Sequence, residues 1–107
     1  MTTSIAGKSG NYAFEGPYDN EDAIRDVGGI YVIVCVTPLQ QTILDVGESG
    51  SLRTRIANHE RSDCWKQNCQ GYPRKAYILY TPNLSEAQRM EIERDIRAHW
   101  NPACGER

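Results

Sequence analysis

Gly29-Ile30-Tyr31-Val32-Ile33-Val34-Cys35-Val36 places seven apolar or aromatic residues in a row behind a glycine, most of them β-branched. No polar residue alternates with them, so the run predicts a strand covered on both faces rather than one half open to water. Thr37-Pro38-Leu39-Gln40-Gln41 interrupts it, and Thr42-Ile43-Leu44-Asp45-Val46-Gly47 resumes. Two strands across a short Pro-containing break read as an antiparallel hairpin.

Working outward, Gly47-Glu48-Ser49-Gly50-Ser51 turns into a helix, with Ser49 or Ser51 as its cap and Leu52, Ile56 and His59 at helical spacing. Residues 61–73 lack a clean period and read as a loop with a short helix anchored by Trp65. Arg74–Thr81 is a third strand by its aromatic and β-branched content. Ser85 with Gln88 forms a capping-box pattern that opens a last helix. Ala87, Met90, Ile92, Ile96 and Trp100 mark its apolar side, and Pro102 ends it. Residues 1–28, rich in Gly, Ser, Asn, Asp and Pro, read as an extended lead-in with one short helical turn at 20–26. The expected fold is α+β, an α/β sandwich with a small, mostly antiparallel three-stranded sheet flanked by helices. It comprises the lead-in over 1–28 and a single domain over 29–107.

Composition fits that expectation. The 107 residues are 39% hydrophobic and 24% charged, an ordinary globular mixture of about one domain's length. No run approaches the roughly 18 apolar residues of a membrane span, and no secretory signal is visible at the N-terminus. A cytoplasmic location follows as the expectation, with the four cysteines (Cys35, Cys64, Cys69, Cys104) as reduced thiols. Net charge is −2 but uneven: residues 1–51 sum to −5, residues 52–75 to +4 and the remainder to −1. Arg53, Arg61, Lys66, Arg74 and Lys75 in that basic centre can form a phosphate footprint, although charge alone favours a solvated surface.

Three features point to chemistry. Arg55 and His59 stand at i, i+4 on the expected first helix, on a row tilted toward its buried side. Glu93 falls beside the apolar stripe of the last helix, a position that calls for a salt bridge or a metal, with Arg89 and Arg97 at i±4 as ion-pair candidates. Tyr31 interrupts an aliphatic strand with a hydroxyl that needs a partner.

Taken in order, Gly29-Ile30-Tyr31, Asp45-Val46-Gly47, Arg55 eight residues later, His59 four further on, and Glu93 nine before Pro102 resemble the GIY-YIG nuclease superfamily. The resemblance covers about residues 28–104, with Gly29 and Gly47 as the glycines of the two name motifs. The first triplet matches in full; in the second, Asp45 stands where the family carries Tyr.

The resemblance implies a metal-dependent endonuclease that hydrolyses phosphodiester bonds of nucleic acid, with DNA expected. Glu93 would bind one Mg²⁺ (or Mn²⁺) ion, Arg55 would clamp the scissile phosphate, and Tyr31 would take the proton from water. His59 would orient Tyr31 or the phosphate, and Asp45 would accept Tyr31's proton, bind a second water, or repel the phosphate. Nucleic acid is the expected partner, with a protein partner or homodimer for targeting and no membrane. The alternative is a catalytically silent nucleic-acid- or protein-binding module on the same scaffold.

Overall fold

The computed structural model describes residues 2–105. The apolar run forms strand β3 (Gly29–Val36), buried at every residue but the last. It is central because both neighbours are needed to cover its edges: β4 (Gln41–Ser49) on one side and β5 (Arg74–Tyr80) on the other, each antiparallel to it. Residues 2–18 add two more strands, β1 (Thr2–Ala6) and β2 (Asn11–Tyr18). The sheet therefore has five strands in the order β1-β2-β5-β3-β4, all antiparallel, where three were expected. The lead-in is a β-hairpin docked on β5 through Glu15↔Ile78 and Tyr18↔Ala76. Its strands are hard to read because each fully buries one residue only, Ile5 and Phe14, and the rest are exposed or half-buried. The expected turn near 20–26 is a 3₁₀ turn at Glu21–Ala23.

Alternation along β3 sends side chains to two cores. Tyr31 and Ile33 join Leu44, Leu52, Trp65 and Ile78 on one face. Ile30, Val32 and Val34 join Phe14, Val46 and Ile96 on the other. The first face is covered by α1 (Leu52–Ala57) and α2 (Ser62–Cys69), the second by α3 (Glu86–Trp100). Helix α1 ends at Ala57, so His59 lies on the connector to α2 rather than on a helical row with Arg55. The capping box at Ser85 and Gln88 is present, with bonds of 2.9 and 3.2 Å. Ile96 is buried and Ile92 packs on the core, but Met90 and Trp100 of the expected apolar side are exposed.

The cysteines are not free thiols. Cys35 is bonded to Cys69 and Cys64 to Cys104. Both bonds involve α2: one fixes its C-terminal end to β3, the other ties its N-terminal half to the segment following α3. Sequence spacing gave no hint of this, since the partners lie 34 and 40 residues apart. No helix among the described residues is long and apolar enough to cross a membrane.

Candidate active site

Register places Tyr31 opposite Gly47 and Ile33 opposite Asp45, so Tyr31 and Asp45 share the face covered by α1 and α2. Gly47 has a steric reason: a Cβ there would collide with the Oη and Cζ of Tyr31. The phenol thus lies flat across β4, with its hydroxyl toward the sheet edge. Gly29 is similarly constrained, because a Cβ would strike the Leu79 carbonyl and Leu52.

Tyr31 Oη is hydrogen-bonded to His59 Nε2 and lies 3.3 Å from Arg61 Nη2. His59 Nδ1 accepts the Arg61 amide N–H at 3.1 Å. Burial, then the charges of Arg55 and Arg61, push the His59 pKa down to about 4, so the ring is neutral near pH 7. A neutral imidazole that accepts at Nδ1 carries its proton on Nε2. The tautomer so assigned makes His59 the donor to Tyr31. Burial raises the Tyr31 pKa above its ordinary value and Asp45 adds to the shift, while Arg61 and Arg55 oppose it. The resting phenol keeps its proton.

Asp45 is completely buried and is the anchor of the cluster. Arg61 grips it with Nε at 2.7 Å and Nη2 at 3.2 Å, Arg97 Nη2 donates at 2.5 Å, and Trp65 Nε1 at 2.9 Å. These four bonds fill the carboxylate's capacity, which leaves no oxygen for Tyr31's proton. Arg97 comes from α3 around the edge of the sheet. It also donates to the Val46 carbonyl, to the Cys104 carbonyl at 3.1 Å, and to Glu93 Oε2 at 3.2 Å. Trp65 completes the wall by packing against His59, with ring centroids 4.6 Å apart and the planes tilted by 42°.

Arg55 and Glu93 sit at the rim. Arg55 forks onto Glu60, with Nη2 at 2.8 Å from Oε1 and Nη1 bonded to Oε2. Glu93 keeps about a quarter of its side chain in solvent, and burial raises its pKa while Arg97 lowers it. A chain of contacts links these residues: Tyr31 touches His59 and Arg61, Arg61 and Arg97 share Asp45, Arg97 reaches Glu93, and Glu60 lies between Arg55 and Arg61. The expected Arg89–Glu93 pair is absent among the described contacts; Arg89 binds Glu48 instead, at 2.8 Å.

The five cations of the expected track have different partners. Arg61 belongs to the cluster itself, and Arg53 donates to the Ile24 carbonyl at 2.8 Å. Lys66 is exposed on α2. Arg74 and Lys75 line a neighbouring cleft of about 240 Å³ with Tyr18, Ile24 and Trp65, and Lys75 pairs with Asp19 at 3.2 Å. Asp26 of the acidic first half accepts from Thr54 at the start of α1, from N at 3.0 Å and from Oγ1 at 2.7 Å. Sequence reasoning missed Glu60 and gave Trp65 and Arg97 lesser roles. The readable signal was Arg97, a cation next to the buried Ile96 and one turn from Glu93.

Glu93 is the rim carboxylate expected to hold a metal. No group of three or more His, Cys, Asp or Glu that could hold an ion occurs among the described residues. Glu93 alone fits a hydrated Mg²⁺ that takes the rest of its shell from water and substrate phosphate; it does not fit a cation enclosed by protein. No protein-family model, curated protein or solved structure matches the chain.

Proposed function

We propose that this protein is a metal-dependent endonuclease hydrolysing phosphodiester bonds of nucleic acid, with DNA as substrate, on a scaffold similar to the GIY-YIG nucleases. The observation that carries the reading is the contact chain that joins a phenol, a neutral histidine, the Arg55 and Arg61 guanidinium groups and the Glu93 carboxylate through Asp45, Arg97 and Glu60. Hydrolysis needs a base for water, cations for the developing charge on phosphorus, and a way to hold the phosphate in line.

Arg55 supplies the planar fork for two phosphate oxygens. Arg61 Nη2 and His59 Nε2–H both donate to Tyr31 Oη, an arrangement that favours the phenolate once the proton leaves. Tyr31, having first lost its own proton to solvent, then accepts the proton of the attacking water. Asp45 organises rather than relays, by fixing Arg61, Arg97 and Trp65. Glu93 would hold the Mg²⁺ or Mn²⁺ ion, which when bound adds positive charge at the phosphate. To do so Glu93 shares or exchanges its contact with Arg97.

The second reading, a silent binding module, is favoured by one specific observation: Arg55 and Glu93 each already have an ion-pair partner. Cleavage of plasmid and branched DNA with Mg²⁺ or Mn²⁺, beside a Glu93→Ala control, separates the two. Metal-dependent nicking lost in the variant supports the nuclease; salt-sensitive binding without nicking supports the module. As to location, the two disulfides favour an oxidising compartment over the cytoplasm that the sequence suggests.

A further inference from the structure

Glu60 has an arrangement that the proposed chemistry does not use. Its side chain is 60% exposed, yet its carboxylate meets the Arg55 guanidinium through both oxygens. Arg61 Nη1 lies 3.6 Å from it and His59 Nδ1 4.0 Å. The three groups around this carboxylate are thus those assigned to the substrate phosphate and its base.

We propose that the Glu60 carboxylate is a built-in stand-in for the substrate phosphate, seated in the Arg55 fork and displaced when a phosphodiester binds. The inference rests on the nuclease reading and names the regulation of that same site. Carboxylate and phosphate present similar pairs of oxygens to a guanidinium, so whatever suits one suits the other. Exchange is feasible because Glu60 stands on the connector between α1 and α2, outside any helix, with solvent on its outer side. An exposed ion pair holds its partners only weakly, a hold that a phosphate with additional oxygens can exceed. Arg61 Nη1 is the further donor such an oxygen would reach, since its Nε and Nη2 are committed to Asp45.

Acid does not open this seat. The Arg55 hydrogen bonds hold the Glu60 pKa down to about 2, so the carboxylate stays charged throughout the working range. Only a competing anion, or loss of the charge by mutation, clears the fork. Glu60 therefore sets the affinity threshold: weakly held anions fail to displace it, and a phosphodiester backbone with several contacts succeeds.

The test compares wild type, Glu60→Gln and Arg55→Ala without divalent metal, so that nothing is cleaved. A labelled DNA oligonucleotide is followed by fluorescence anisotropy, and inorganic phosphate by chemical-shift perturbation of the described site's amides. Circular dichroism melts verify folding, and Glu60→Ala serves as a second variant. Glu60→Gln should tighten both ligands by about three- to tenfold, the loss of one exposed ion pair plus one repulsive charge. The gain should vanish in the double variant with Arg55→Ala. Equal or weaker phosphate binding by Glu60→Gln and Glu60→Ala would overturn the stand-in. Tighter phosphate binding without DNA binding by any form would keep the anion seat and remove the nuclease reading.

Discussion

Tyr31 is hydrogen-bonded to Nε2 of His59, and the Arg61 amide on Nδ1 makes the histidine the donor in that pair. This direction decides which ring moves a proton. His59 supports charge on Tyr31 but has no lone pair directed at substrate, while burial keeps Tyr31 protonated until the pH is high.

The pH–rate profile should therefore lack a limb near 6.5, the usual histidine range, because His59 titrates only at about 4. Above neutrality the rate should climb about tenfold per pH unit as the phenolate fraction grows, continuing past pH 9. Initial rates from pH 5.5 to 10 at saturating Mg²⁺ check this. A plateau above pH 7.5 would assign the base to another group.

Stability should fall on the acid side for the same reason. The His59 pKa is lower folded than unfolded, so between about 6.5 and 4 the unfolded chain binds the extra proton and stability drops as the pH falls. Glu93, raised by burial, acts in the opposite direction. Comparing wild type with His59→Gln cancels Glu93: the Tm difference between pH 7.5 and pH 5 should shrink in the variant.

Asp45→Asn should act on stability before it acts on chemistry. It removes the negative charge between two guanidinium groups in a buried site, a loss of about 3–5 kcal/mol by chemical denaturation. A variant that unfolds like wild type yet loses turnover would restore the proton-relay role suggested by the sequence.

How much of this was readable in the chain depends on where the information lies. β3, the β3–β4 hairpin, β5 and the Ser85 cap follow from local pattern. β1 and β2 do not, because single buried residues at 5 and 14 carry no period. Tyr31, Arg55, His59 and Glu93 were found by motif order. Asp45 was the misleading position: a carboxylate between Leu44 and Val46 says nothing of the arginines at 61 and 97 that neutralise it. Its partners lie 16 and 52 residues away, and only the folded sheet edge brings them together. The disulfides were hidden in the same way.

Reducing those disulfides should loosen α2, and with it Trp65 and the wall of the site. Each removed bond typically costs about 2–5 kcal/mol, so the Tm in a phosphine reductant should fall by at least about 10 °C. Alkylation and mass measurement would verify that four thiols appear. An unchanged Tm with all four alkylated would show that packing alone holds α2.

The most direct measurement is single-turnover cleavage of supercoiled plasmid with Mg²⁺ by wild type, Tyr31→Phe and Glu93→Gln, each shown folded by circular dichroism. Wild type should nick the plasmid, and each variant should be slower by about 10²-fold or more, the size of a lost acid–base or electrostatic contribution. A folded wild type that binds the plasmid but never nicks it, or a Tyr31→Phe that cleaves at the parental rate, would contradict the assignment of this patch as a hydrolytic site.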